Sequence, residues 1–134
     1  MLVTTITKLV ATSTTKMLLL AAIALLGLAG CNNCENSLKS ESNSPDGRLV
    51  ARTSERNCGA TTDFSTIVNV QSSSAKYDSN EGMLFVAKGR YEISTKWTDA
   101  KSLVITCKGC SRPNLFREVS ALGDIDVSYV IGPK

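Results

Sequence analysis

Cysteine supplies the side chains in this sequence best equipped for covalent chemistry: Cys31, Cys34, Cys58, Cys107 and Cys110. Cys107 and Cys110 enclose Lys108-Gly109 in a C-x-x-C spacing. Such a pair exchanges disulfides when a helix N-terminus or a neighbouring cation lowers a thiol pKa. Lys108 offers the cation, but no helix is predicted to begin there. The 24 residues after Cys110 are too few to complete the fold in which such redox centres usually sit. A disulfide stapling a turn is the expected state, with thiol–disulfide exchange as the alternative. A zinc site is not expected, because four-cysteine zinc ribbons use two C-x-x-C knuckles. Histidine is absent, which removes the commonest general base and metal ligand and excludes Ser-His and Cys-His nucleophile pairs. Thr61, Thr62, Asp63 and Ser65 form a polar cluster that could be imagined as hydrolytic, although capping turns is the ordinary work of such residues. No catalytic residue, cofactor or metal is expected.

Cys31 has a different setting. It ends an uncharged run of fourteen residues, 17–30, that follows Lys16. A membrane-spanning helix needs about 18 or more apolar residues, whereas runs of about 10–14 are typical of signal-peptide cores. Leu28-Ala29-Gly30-Cys31 resembles the lipobox of bacterial lipoproteins, in which the cysteine is acylated and becomes the mature N-terminus. The resemblance implies that residues 1–30 are a lipoprotein signal peptide and that Cys31 carries fatty acyl chains such as palmitate. One chain holds a protein to a membrane only marginally, at about 0.8 kcal/mol per buried methylene, while two or three make attachment effectively permanent. Asn32, in place of an Asp, favours the outer membrane facing the periplasm over the inner membrane. The expected location is the bacterial cell envelope, with the membrane as partner through the anchor.

Without residues 1–30 the chain has 104 residues, enough for one small domain. Thirteen basic and twelve acidic residues remain, a net charge of +1 with the signs interspersed, so no nucleic-acid partner is expected. An exported domain of this size gains from disulfides, and the four remaining cysteines allow three connectivities. Cys34–Cys58 with Cys107–Cys110 is the expected pairing, crossed pairings remaining open.

The elements that must position these residues read as strands. Residues 31–43 have the polar composition of a lipidated N-terminus and linker, and the turn Ser44-Pro45-Asp46-Gly47 opens a single β domain over 44–134. Strands are predicted over 48–55, 64–71, 83–87, 90–97, 102–107 and 124–131. Phe64, Thr66, Val68 and Val70 share one face of the second; Leu103, Ile105 and Cys107 are in phase, as are Ile125, Val127 and Tyr129. Residues 111–122 fit either a short helix or a strand about Leu115-Phe116-Arg117. The expectation is an all-β fold of six or seven strands, a small antiparallel sheet or sandwich, with Trp97, Phe85, Phe64 and Tyr129 as the large core pieces.

Ser44-Pro45-Asp46-Gly47 followed by Arg56-Asn57-Cys58-Gly59-Ala60-Thr61-Thr62-Asp63-Phe64-Ser65-Thr66 resembles the signature of an uncharacterised bacterial family, a domain of unknown function. That family carries an S-P-D-G turn, an R-D-C-G-A-T-T-x-F-S-T block, a cysteine shortly before the turn, and a tryptophan strand followed by L-x-I. Cys34, Trp97 and Leu103-Val104-Ile105 match the remaining features. The resemblance implies the Cys34–Cys58 pairing and no activity. Asn57 stands where the family has Asp, so a carboxylate role there is not inherited, and the C-x-x-C is a local addition. The expected function is a lipid-anchored, non-enzymatic domain that binds a protein or another envelope component.

Overall fold

Alternating apolar residues, separated by polar turns, commit most of this chain to strands that bury one face. The computed structural model describes residues 34–133; the signal segment, Cys31 and Asn32 lie outside the described residues. Nine strands follow in order: β1 Glu35–Asn43, β2 Leu49–Asn57, β3 Ser65–Ser72, β4 Met83–Lys88, β5 Glu92–Trp97, β6 Ser102–Lys108, β7 Leu115–Glu118, β8 Ala121–Leu122 and β9 Ile125–Gly132. They form a five-stranded sheet, β1-β2-β3-β4-β7, and a four-stranded sheet, β5-β6-β9-β8.

The fold is all-β as expected, with more strands than the six or seven read from the pattern. Every pairing is antiparallel except that of β6 with β9, which runs parallel from Ser102↔Asp126 to Lys108↔Gly132. That parallel pair needs a long crossover. The crossover visits the other sheet, through a single 3-10 turn at Arg112–Asn114 and then β7. Residues 111–122 therefore contain both of the structures considered for them.

The two sheets share one core. Ala51, Val68, Val70, Leu84, Phe85 and Ala87 from the first meet Leu103, Ile105, Cys107, Ile125 and Val127 from the second. The predicted phasing is present: Leu103 lies beside Val127, Ile105 beside Tyr129 and Cys107 beside Ile131. Phe85 is fully buried, and Trp97 and Tyr129 pack on the core from its rim. Phe64 does not join them. It precedes β3, where its carbonyl accepts from Gly89 N–H (2.7 Å), and its ring lies under the Arg90 guanidinium, 3.6 Å from the centroid.

Within the segment 31–43, the linker reading is corrected for Glu35–Asn43, which form β1. Glu35–Asn43 pairs antiparallel with β2 from Glu35↔Asn57 to Asn43↔Val50, with a bulge between Leu38 and Ser40. Only Leu38 in this strand is a large apolar residue, and nearly every side chain is exposed. The strand is held by its backbone ladder, by the Cys34–Cys58 bond behind it, and by Trp97, whose Nε1 donates to the Ser42 carbonyl (2.9 Å). The turn Ser44–Gly47 forms where the sequence predicts it, closed by Gly47 N–H donating to the Ser44 carbonyl (2.9 Å). Ser44 Oγ donates to Asp46 Oδ1 (2.7 Å) and Arg48 Nε to Asp46 Oδ2 (2.7 Å). Those bonds, the serine's first, hold the Asp46 carboxyl down at about 2.

Candidate functional site

The block from Arg56 to Thr66 folds a corner in which nearly every residue has a bonding task. Asn57 Oδ1 accepts from Gly59 N–H (3.1 Å), an Asx turn that asks for an amide or carboxylate oxygen and no acid chemistry. Cys58 is bonded to Cys34. Gly59 takes φ +110°, and its carbonyl accepts from Thr62 N–H (3.2 Å) and Thr62 Oγ1 (3.1 Å). Asp63 pairs with Lys88 Nζ at 2.7 Å, which holds the lysine above its ordinary range. Thr66 Oγ1 donates to the Gly89 carbonyl (2.8 Å) and accepts from Tyr91 N–H (3.1 Å). It thereby pins the link by which the chain passes from β4 in one sheet to β5 in the other. The Thr61-Thr62-Asp63-Ser65 cluster is engaged in turn and ion-pair geometry. Asp63 and Phe64 also edge a shallow cleft of about 430 Å³ with Lys88, Arg90, Tyr91 and Asn114.

Arg56 leads to a second site that the sequence did not expose. Its Nε donates to Asn36 Oδ1 on β1 (2.9 Å), and its Nη2 reaches the Ser79 carbonyl, Ser79 Oγ (both 3.2 Å) and Asn80 Oδ1 (2.9 Å). Residues 73–82, a polar loop between β3 and β4, therefore fold back over the outer face of β2 and β3. Asn69 Nδ2 donates to the Ser79 (3.1 Å) and Glu81 (2.7 Å) carbonyls, and Gln71 Nε2 to the Asp78 carbonyl (2.8 Å). Arg52 completes the frame. Its Nε bonds Glu41 Oε1 on β1 (2.6 Å), its Nη1 bonds Gln71 Oε1 (3.1 Å), and its guanidinium lies 5.5 Å from the Tyr77 ring centroid. Val50, Arg52, Ser54, Ile67, Asn69 and Gln71 are all buried although they face away from the core between the sheets.

This loop is a roof tied to a rigid floor. Between it and β1 opens a cleft of about 650 Å³ lined by Asn36, Lys76, Tyr77, Asp78, Ser79 and Glu81. Among the described residues Arg56 and Lys76 make no ion pair, and Asp78 and Glu81 make none either. Both signs of charge are thus available to a polar ligand at the rim, while the backbone they project from is held by three side chains from β2 and β3, Arg56, Asn69 and Gln71. The sequence pattern marks Arg56 only as part of the Arg56–Thr66 block and singles out none of Arg52, Asn69, Gln71 and Tyr77. The signal for them was a tyrosine in an otherwise polar loop, facing polar residues at every second position of two strands.

The cysteines are paired Cys34–Cys58 and Cys107–Cys110. Cys107 is fully buried and Cys110 is 6% exposed; the second pair closes the turn through Gly109 at the end of β6, where Gly109 N–H donates to the Gly132 carbonyl (2.8 Å). A cleft of about 540 Å³ runs beside it, lined by Cys110, Arg112, Ile131 and Pro133 among others. Among the described residues no group of three or more acidic or cysteine side chains is placed to hold a metal. No family model, no curated protein and no solved structure matches the chain at significance.

Proposed function

We propose that this chain is a lipid-anchored cell-envelope protein whose β domain binds a polar partner, without catalysis, in the cleft beneath residues 73–82. The observation that carries the reading is the roof: Arg56, Asn69 and Gln71 bond its backbone against β2 and β3, and Arg52 braces Gln71 and lies against the Tyr77 ring. A surface loop so tied presents Lys76, Asp78 and Glu81 in one arrangement, and a preorganised surface loses less entropy on binding. The resemblance of Leu28-Ala29-Gly30-Cys31 to a lipobox supports the anchor.

A photocrosslinking residue at Lys76 tests the proposal in intact cells, with the same residue at Ser94 as reference. Discrete adducts from position 76 and none from 94 are expected; adducts from neither, or from both alike, overturn the binding site. Incorporation of an alkynyl fatty acid, abolished by Cys31→Ser, tests the anchor separately.

Thiol–disulfide exchange at Cys107–Cys110 is the second reading, favoured by the position of Cys110 beside an open cleft with Arg112. The burial of both sulfurs weighs against it, because exchange needs access for the attacking thiolate. A reduction potential below about −300 mV would mark the bond as structural.

A further inference from the structure

We infer that the cleft beside Arg90 is an anion site for a phosphodiester, the headgroup of an anionic membrane lipid. It is separate from the roofed cleft under residues 73–82, and only the choice of a lipid as the source rests on the proposed anchor.

The site is built on the link that carries the chain from β4 to β5, Gly89-Arg90-Tyr91. Gly89 N–H donates to the Phe64 carbonyl (2.7 Å), and Thr66 Oγ1 bonds both the Gly89 carbonyl (2.8 Å) and Tyr91 N–H (3.1 Å). Gly89 takes φ +114°, and a Cβ there would lie 3.2 Å from the Tyr91 ring, so the ring folds back against the link. The backbone from which Arg90 and Tyr91 project is therefore held before any ligand arrives, which lowers the entropy lost on binding.

Apart from Asp63, the polar side chains lining this cleft of about 430 Å³ offer N–H or O–H groups. The Arg90 guanidinium rests on the Phe64 ring, 3.6 Å from its centroid, and makes no hydrogen bond among the described residues. Its one ion-pair contact is Glu55 at 3.6 Å, a carboxylate that Lys39 holds closer, at 3.1 Å. Lys88 Nζ meets Asp63 (2.7 Å) with both side chains at least half exposed, and such pairs contribute little. Asn114 Nδ2 donates to the Tyr91 hydroxyl (2.9 Å), whose own proton has no acceptor among the described residues. The carboxylates in contact with these cations are Glu55 and Asp63, against Lys39, Lys88 and Arg90, so one positive charge is left over. A guanidinium stacked by one face keeps its N–H groups at the edge, the arrangement that fits paired phosphate oxygens. Lys88 adds a point charge beside it, and the Tyr91 hydroxyl a further donor.

The lipid source follows from where the chain enters the domain. Glu35 lies beside Asn57, Arg56 beside Ser65 and Ser65 beside Lys88, so Cys34, the corner at Cys58 and the cleft share one end of the five-stranded sheet. Three ladder spacings of about 4.8 Å separate β1 from β4. Cys31 is three peptide steps, at most about 10 Å, from Cys34. Acyl chains on Cys31 would bring lipid headgroups to this end of the domain.

The full-length chain, purified in an uncharged detergent, is titrated calorimetrically with dihexanoyl phosphatidylglycerol. Dihexanoyl phosphatidylcholine, glycerophosphoglycerol, inorganic phosphate and acetate are run in parallel. Saturable binding of the phosphatidylglycerol is expected, with glycerophosphoglycerol competing for the same site and the other three binding more weakly. Arg90→Gln should keep the melting temperature and weaken binding at least about tenfold, through loss of charge-assisted hydrogen bonds. Lys88→Gln, which leaves the stack on Phe64 intact, reads the same loss if Arg90→Gln lowers the melting temperature. No saturable binding, equal binding of phosphatidylcholine, phosphate or acetate, or unchanged affinity in either folded variant overturns the proposal. Headgroup binding without fatty-acid uptake at Cys31 would refute the anchor and keep the site; uptake without headgroup binding overturns the site alone.

Discussion

Tyr129 shows how much one side chain can organise. Its hydroxyl accepts from Val119 N–H (3.0 Å) and donates to the Val119 carbonyl (2.7 Å), with the Leu84 carbonyl at 3.1 Å sharing the proton. A phenol on β9 thus satisfies the backbone where the chain passes from β7 to β8, and ties it to β4. Tyr129→Phe keeps the ring and leaves the Val119 carbonyl without its donor, while Val119 N–H keeps the Leu84 carbonyl (3.0 Å), and should cost about 1 kcal/mol in chemical denaturation. Burial pushes the Tyr129 phenol up to about 12, above its usual 10. The sign follows: the unfolded chain ionises first, so this contribution is whole below pH 10 and is lost as pH rises through about 12. In Tyr129→Phe that part of the alkaline loss should be missing from a pH series of melting temperatures. Thr53 is the reverse case. Its Oγ1 is buried without a hydrogen-bond partner among the described residues, so Thr53→Val, of equal shape and good strand propensity, should stabilise the fold by about 1 kcal/mol. A lower melting temperature in that variant would show the hydroxyl to be satisfied.

At the level of elements, the roof over β2 and β3 rests on Gly82 as much as on its side-chain ties. Gly82 has φ +62°, its carbonyl accepts from Val70 N–H (2.9 Å), and a Cβ there would collide with the Val70 carbonyl. Gly47 has a similar φ of +71° with open space around it. Gly47→Ala should therefore cost only the backbone penalty of about 1–2 kcal/mol, and Gly82→Ala clearly more. Hydrogen exchange should report faster opening of residues 73–82 in the second variant alone; equal effects would show that the close approach is not rigid. The same contrast explains what could be read in advance. Strands β2 to β6 and β9 announce themselves because each buries alternate apolar residues against the shared core. β1 does not: Ser37, Lys39, Ser40 and Glu41 say nothing of a strand, since its stability lies in backbone pairing and in a bond through Cys34. The corner at Cys58 was legible as turn chemistry, because Asn, Gly and Thr act on near neighbours. The roofed cleft was not, because Arg52, Asn69 and Tyr77 converge from separate stretches and the buried outer face reads as solvated.

On the scale of the whole molecule, β1 bears on the proposed N-terminal anchor. If Cys31 carries acyl chains, three peptide steps separate it from Cys34, a reach of at most about 10 Å, and Cys34 is bonded into the corner at Cys58. A domain hanging from a free linker as far as Ser44 would have a reach of roughly 45 Å. The disulfide spans a sequence separation of 24 and contributes about 3 kcal/mol on the chain-entropy model. Its loss should not free all of β1 equally. Beyond the bulge, Glu41 is held by Arg52 (2.6 Å) and the Ser42 carbonyl by Trp97 (2.9 Å). Before it, the side-chain ties are Asn36 to Arg56 (2.9 Å) and the exposed pair Lys39–Glu55 (3.1 Å), and exposed pairs contribute little. Cys34→Ser should therefore let β1 fray from its N-terminal end. Limited proteolysis should gain cuts between Glu35 and Lys39, with residues 40–43 still protected and acylation of Cys31 unchanged. Cleavage spread evenly to Asn43 would mean that the disulfide alone holds the strand, and no new cleavage would mean that the ladder to β2 suffices without it. Only the graded result assigns the short reach of the proposed anchor to Cys34 and the strand's persistence to Arg52 and Trp97.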